Sequence, residues 1–281
     1  MEFRSAEGAD RYDAVVAVGA RLLVALDFDG TLAPIVNNPE VAQIHERAGD
    51  LLISLADQVR TIAVITGRPA RQVLALGGLD EVGDEIGERG HELVVLGQYG
   101  NERWTSSSRR VVSPKPPTGL ASLIGELPRL LRNAGTTEAW IEEKGLAVGV
   151  HTRRCADPQA AFDTLLPVLT AAASERGLSV EPGRFVIEIR AAGMDKGIAL
   201  RSLVEQYDVG AIVFVGDDLG DVPAFETVRE LRAGGLPALL VCSVSTEESA
   251  LRELADAVVP GPDGVMDFLA ILGDRIAAAA D

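Results

Sequence analysis

The chain of 281 residues carries 26 Lys and Arg against 42 Asp and Glu, a formal net charge of −16, with 47% hydrophobic residues. That much apolar material excludes disorder along the whole chain, and the length suits one large domain or a core with one insertion. The acidic balance argues against a nucleic-acid binder, which needs basic groups against phosphates. It leaves room for a small phosphate met in one cleft beside a metal and a few local cations. Cys155 and Cys242 make no disulfide framework, and His45, His91 and His151 have no zinc-like spacing. No stretch has the apolar length of a membrane span, and Met1-Glu2-Phe3-Arg4 with Asp10 and Asp13 is unlike a signal peptide. A soluble cytoplasmic protein is expected, with no nucleic-acid or membrane partner.

In chain order, residues 22–26 form a continuous apolar run that stops at Asp27, the pattern of a strand buried on both faces that delivers a polar residue at its carboxyl end. Val41, Ile44, Ala48, Leu51, Leu52 and Leu55 recur at helical spacing and predict a helix from near Pro39. A second buried strand follows at 61–65, closing on Thr66-Gly67-Arg68-Pro69, and a helix from about Pro69. Strand and helix alternating at this pitch predict a parallel sheet with right-handed crossovers. The pattern returns with a strand at 211–215 ending in Gly216-Asp217-Asp218, a helix at 223–232, strands near 238–242 and 257–259, and a closing helix at 265–279.

The middle differs. An exposed linker at 105–110 leads to a helix (119–133), two strands (136–142 and 146–152), a second helix (158–175) and two more strands (178–181 and 184–190). The simplest reading is a small α+β unit, residues 106–191, inserted into an α/β, Rossmann-like parallel-sheet core formed by 1–105 and 192–281. The last strand leans towards alternation, so that one face carries helices and the other stays wet.

Asp27-Phe28-Asp29-Gly30-Thr31 sets two carboxylates two residues apart after a buried strand, where one can attack an electrophile while the other moves protons. An ordinary Asp-rich turn is the alternative. Gly216-Asp217-Asp218-Leu219-Gly220-Asp221 gathers three carboxylates that repel one another unless a cation compensates. Its oxygen-only donors favour Mg²⁺, Ca²⁺ or Mn²⁺ over zinc, and a phosphate nearby favours Mg²⁺. A solvated acidic loop remains open as the simpler reading. Lys196 opens an apolar helical stretch and is either a surface residue or the cation beside these carboxylates. Thr66 either holds phosphate oxygens or caps a helix. Dinucleotide, nucleotide-phosphate-loop and serine-nucleophile motifs are all missing from the sequence.

Taken in order, Asp27-x-Asp-Gly-Thr, Thr66-Gly-Arg, Lys196-Gly and Gly216-Asp-Asp-x-x-Asp resemble the four motifs of the haloacid-dehalogenase-like phosphohydrolases. Leu26 to Ile35 with Pro39-Glu40, Gly97-Gln98-Tyr99-Gly100-Asn101-Glu102, Glu142-Glu143-Lys144-Gly145, His151-Thr152-Arg153 and Glu188-Ile189-Arg190 are similar to segments of the trehalose-phosphate phosphatases. The resemblance implies a core of haloacid-dehalogenase type with an inserted cap. It implies Asp27 as nucleophile, Asp29 as general acid and base, and Thr66 and Lys196 on the phosphoryl oxygens. Asp27, the Asp29 carbonyl, Asp217 and Asp221 would hold Mg²⁺, and Asp218 would order the loop.

Gly67, Arg68, Gln98, Tyr99 and Asn101 would border the substrate, and Glu143, Lys144, His151, Arg153 and Glu188 would meet the sugar. By residue pattern alone, 142–144 also reads as an exposed strand turn, His151 as a core or edge histidine, and Glu188 as solvent-facing. The chain departs from the family at Gln98, Tyr99 and Gly220-Asp221-Val222. The expected reaction is hydrolysis of trehalose 6-phosphate, with a sugar-phosphate synthase upstream. Another sugar or cyclitol phosphatase and a non-catalytic sugar-phosphate binding module are the alternatives.

Overall fold

The computed structural model describes residues 1–36, 38–191, 193, 195–244 and 250–280. The chain divides into two compact units, Met1–Val112 with Asp195–Asp281, and Ser113–Met194. Ala192, where the sequence places the return to the core, lies outside the described residues.

Among the described residues of the first unit, one eight-stranded sheet runs in the order Glu2–Phe3, Ala257–Pro260, Ala238–Val244, Ala211–Gly216, Leu22–Leu26, Thr61–Ile65, Leu93–Gly97, Glu102–Thr105. The six inner strands are mutually parallel and the two at the edges antiparallel. Strands Leu22–Leu26, Thr61–Ile65 and Leu93–Gly97 are buried at every position, because helices cover both faces and leave no wet side. One face packs on the N-terminal helix Ala6–Val18 and the C-terminal helix Gly261–Ala280 through Val15, Phe268 and Leu272. The other packs on Lys196–Tyr207 and Val222–Ala233 through Leu200, Leu203 and Phe225, whose ring meets Phe214 edge-on with centroids 5.8 Å apart.

Three local expectations change. The helix expected from Pro39 begins at Ala48, after a short 3₁₀ turn Pro39–Val41. Backbone bonds from Ile44 to the Leu76 carbonyl and from His45 to the Leu32 carbonyl hold the intervening chain in a non-helical path, and Val41 is left 61% exposed. Residues 106–112 stay with the first unit, since the Ser106 amide bonds the Leu93 carbonyl and Val112 pairs with Arg103. The strands Glu2–Phe3, Leu93–Gly97 and Glu102–Thr105 and the helix Ala6–Val18 add to the elements expected from sequence.

The second unit carries a four-stranded antiparallel sheet ordered Trp140–Glu143, Ala147–His151, Val186–Ala191, Leu178–Gly183. Helices Thr118–Asn133 and Pro158–Ser174 pack on it through Leu123, Leu127, Leu165 and Leu169, against Val148, Val150, Ile187 and Ile189.

Within the first unit, buried Asp256 ties three elements together. Its carboxylate accepts from Arg11 (2.5 Å), from Arg232 (2.6 Å) and from the Leu240 amide (2.8 Å). Replacing Asp256 by Ala strands a half-buried guanidinium and a buried amide. It is expected to cost about 3 kcal/mol in equilibrium urea unfolding, and a loss below about 1 kcal/mol would contradict this account.

Candidate active site

The first acidic segment begins where strand Leu22–Leu26 ends. The Asp27 amide donates to the Val215 carbonyl of the neighbouring strand at 2.9 Å, so Asp27 leaves the sheet in register beside the strand that leads to Asp217. Gly30 turns the chain at φ 71°, and its amide bonds the Ala33 carbonyl at 2.8 Å. Its Cα faces the Asp217 carboxylate so closely that a Cβ there would collide with it. Only glycine serves at this position.

Three carboxylates converge. Asp27, Asp217 and Asp221 are 4%, 5% and 0% exposed, and each offers an oxygen within 4.8 Å of the others. Lys196, at the first position of its helix and 3% exposed, donates to Asp27 and to Asp221, both at 2.6 Å. Asp221 also accepts from the Asp217 amide at 3.0 Å, and Asp218 caps the short turn Leu219–Asp221 through the Gly220 amide at 2.9 Å.

Burial, then the charge of Asp221, drives the Asp27 carboxyl well above the usual carboxylate range. Burial and the nearby Asp27 push Asp217 up to about 10, and burial raises Asp221 although Lys196 opposes it. For Lys196, burial pulls downward, but Asp221 and Asp27 outweigh it and hold the ammonium well above its ordinary value. One ammonium cannot balance three buried carboxylates. A hard divalent cation fits this buried, oxygen-only donor set.

Asp29 stands in different surroundings. Its side chain is 39% exposed, and both of its oxygens are taken by Arg68, from Nε and Nη2, each at 2.6 Å. The remaining Nη1 of Arg68 donates to the Pro39 carbonyl at 2.7 Å, so the guanidinium is engaged by the protein on three sides. Thr66 is buried, and its hydroxyl accepts from the Arg68 amide at 3.1 Å. It does not cap the helix Ala70–Gly77. That role falls to Glu102 of the edge strand, whose carboxylate accepts from the Ala70 amide at 2.7 Å.

The Thr66–Arg68 loop is laced to the turn Gln98–Gly100 by backbone bonds from Tyr99 to Thr66 and from Gln98 to Arg68, both 2.9 Å. Gln98 and Tyr99 adopt left-handed φ of 51° and 59°, and Asn101 braces the turn through the Gln98 carbonyl at 2.9 Å. The Tyr99 ring fills the space a side chain on Gly67 would need.

In the second unit, Glu142, Gly149, Glu188 and Glu181 lie side by side across the sheet. Lys144 meets Glu188 at 2.5 Å and Glu142 at 3.8 Å, and His151 Nε2 lies 2.9 Å from Glu142. Glu188 is 5% exposed, against the solvent-facing alternative, and among the described residues its Oε1 has no hydrogen-bond partner. Glu143 pairs with core-facing Val148 and therefore belongs to the opposite sheet face from Glu142. The polar face thus gathers Glu142, Lys144, His151 and Glu188, whereas Arg153 is exposed in the turn that follows the strand.

A profile of the trehalose-phosphatase family matches residues 25–258. The chain belongs to the trehalose-phosphatase family. Its α/β core with an inserted α+β unit has the fold of a solved haloacid dehalogenase-like hydrolase from Bacteroides thetaiotaomicron, with a TM-score of 0.61 at 16% identity, covering 89% of this chain and 98% of that one.

The probable trehalose-phosphate phosphatase I of Arabidopsis thaliana is 30% identical over 262 residues, covering 89% of this chain and 67% of that one. An uncharacterized glycosyl hydrolase of Mycobacterium tuberculosis is 34% identical over 219 residues, 75% of this chain. The match spans only 16% of that mycobacterial relative's length. The solved C-terminal domain of C. albicans trehalose-6-phosphate phosphatase aligns with a TM-score of 0.72 at 20% identity, covering 95% of this chain and 96% of that one. Among the described residues, no helix is long and apolar enough to cross a membrane.

If Asp27, Asp217 and Asp221 hold a cation, adding millimolar Mg²⁺ to chelator-treated protein should raise the melting temperature by several degrees, since a ligand at 100 times its Kd contributes about 2.7 kcal/mol. Asp217→Asn should shrink that rise. An unchanged melting curve in wild type would count against the site.

Proposed function

We propose that the chain hydrolyses trehalose 6-phosphate to trehalose and phosphate through an aspartyl-phosphate intermediate. The observation that carries this reading is Lys196 bridging buried Asp27 and Asp221 beside Asp217, which leaves a desolvated carboxylate next to cationic charge. Asp27 attacks phosphorus, the bond from phosphorus to the sugar oxygen breaks, and Asp29 gives that oxygen its proton. Asp29 then takes a proton from water, the water oxygen attacks phosphorus, and the acyl phosphate bond breaks to restore Asp27. Lys196 and Thr66 hold phosphoryl oxygens, which requires Lys196 to share its ammonium between substrate and carboxylates.

Mg²⁺ is the cofactor in this reading. Asp27, Asp217 and Asp221 would hold it with the Asp29 carbonyl, and when bound it neutralises charge on the transferring phosphoryl group. Asp218 keeps the Asp217–Asp221 loop in place, and Arg68 holds Asp29 ready.

Residues 1–112 and 195–281 form the catalytic core and 113–194 the specificity cap, with Lys144, His151, Glu188 and Glu142 meeting sugar hydroxyls. Hydroxyl recognition by paired polar groups discriminates strongly, because a wrong sugar leaves buried groups unpaired. A cytoplasmic synthase of the sugar phosphate would supply the substrate. The departures at Gln98, Tyr99 and Gly220 favour a second reading, in which a related sugar or cyclitol phosphate is preferred.

The deciding experiment is a panel of phosphorylated monosaccharides, disaccharides and cyclitols assayed for released phosphate with and without Mg²⁺. Trehalose 6-phosphate should give the highest kcat/KM, and another substrate ahead of it would establish the second reading. Asp27→Asn should abolish turnover; retained metal-dependent activity would refute its assignment as nucleophile. On the cap, Glu188→Gln should raise KM for trehalose 6-phosphate by about tenfold, as expected for one charged hydrogen bond. Hydrolysis of p-nitrophenyl phosphate should stay unchanged, and a parallel loss on both substrates would count against sugar recognition by Glu188.

A further inference from the structure

Ser243 stands at the carboxyl end of strand Ala238–Val244, one residue beyond the last position at which that strand pairs with Ala211–Gly216. It is wholly buried, and its Oγ donates a 2.6 Å hydrogen bond to the Gly30 carbonyl, 213 residues away in sequence. No step of the proposed chemistry uses this hydroxyl, and no motif of the sequence includes it. We propose that Ser243 is a positioning residue for the cation-holding carboxylates, acting by gripping the Gly30 carbonyl and so pressing the Asp29-Gly30-Thr31 turn against Asp217.

The turn is held from two sides. On its amide side, Gly30 bonds the Ala33 carbonyl within the turn; on its carbonyl side it is held by Ser243. Between these fixed points, the Gly30 Cα forms a wall of the slot occupied by the Asp217 carboxylate, which leaves no room there for even one added carbon. A shift of the turn at Gly30 therefore changes the space available to Asp217. Removing the hydroxyl leaves a buried carbonyl short of a donor, and the turn relieves that loss by reorienting. The strand is a rigid anchor, because Ser243 pairs in register with Val259 and residues 238–243 of the strand are all buried. A third strand end thus contributes to the site without touching substrate.

The inference rests on the reading that Asp27, Asp217 and Asp221 hold a divalent cation, but not on the identity of the sugar. Mn²⁺ binding is measured by calorimetry on the full chain without substrate, in wild type, Ser243→Ala and Val241→Ala. Val241 is a buried residue of the same strand, two residues earlier and on the same sheet face as Ser243, in the core on which the N- and C-terminal helices pack.

Ser243→Ala is expected to weaken Mn²⁺ binding by about tenfold, equivalent to about 1.4 kcal/mol and within the range for one buried hydrogen bond. It should lower kcat at subsaturating Mg²⁺ while leaving KM for the sugar phosphate within about twofold. Val241→Ala should lower the melting temperature and keep wild-type Mn²⁺ affinity. Mn²⁺ affinity in Ser243→Ala within about twofold of wild type overturns the proposal, as does equal weakening in Val241→Ala. Wild type that binds no Mn²⁺ overturns it as well. Wild type that binds Mn²⁺, loses it on Ser243→Ala and hydrolyses no phosphorylated sugar supports Ser243 while removing the hydrolase reading.

Discussion

The site depends on one imbalance of charge. Lys196 is buried between Asp27 and Asp221, with Asp217 beside them, so a single ammonium faces three carboxylates that have lost most of their water. Burying an ion is costly unless it is paired, and here pairing is incomplete. Two routes relieve the excess: protons taken up by the carboxylates, or a divalent cation. Both act in the same place, and a dianionic phosphate can approach only once positive charge is there. The hydrogen bonds around Asp221 make sense in this light. The residue accepts from Lys196 and from the Asp217 amide, so it fixes the cluster's geometry as well as adding charge.

The fold concentrates these charges because its inner strands can hold none. A parallel strand covered on both faces must be apolar throughout, and polar side chains reach the interior only at the strand ends. Asp27, Thr66, Gln98, Asp217 and Ser243 follow or close five neighbouring inner strands, each within two residues of the last paired position. Two of the carboxylates, two residues apart, then part company. Asp27 turns into the buried cluster with Lys196, while Asp29 is left half-exposed and gripped by Arg68. Such separate surroundings suit the nucleophile and proton carrier proposed for Asp27 and Asp29.

Much of this was legible in the sequence, for a physical reason. Leu22 to Leu26 and Ala211 to Val215 announce buried strands, and the carboxylates that follow announce the rim. The misreadings follow from weaker signals. Val41 and Ile44 keep helical spacing with Ala48, yet backbone bonds to Leu32 and Leu76, invisible in a local window, hold that stretch out of the helix. Glu102–Thr105 is an edge strand whose outer side is bridged at Arg103 by Val112, and its Glu and Arg break the apolar pattern. The grip of Arg68 on Asp29 and of Ser243 on Gly30 spans 39 and 213 residues, and no spacing rule reports contacts at that range.

The second unit shows how one residue of register decides a site. Glu142 and Glu143 carry the same side chain, and the family resemblance assigns Glu143 to the sugar. In an antiparallel sheet with one face on helices, successive side chains point to opposite faces. The pairing of Glu142 with Gly149, and of Gly149 with Glu188, places Glu142 in the row that also gathers Lys144 and His151. Glycine at the centre of that row matters, since a side chain on Gly149 would press on His151 and Glu142. The row is therefore closely packed over the Gly149 backbone, and among the described residues the buried Oε1 of Glu188 has no hydrogen-bond partner. Leaving a buried acceptor unmet costs stability.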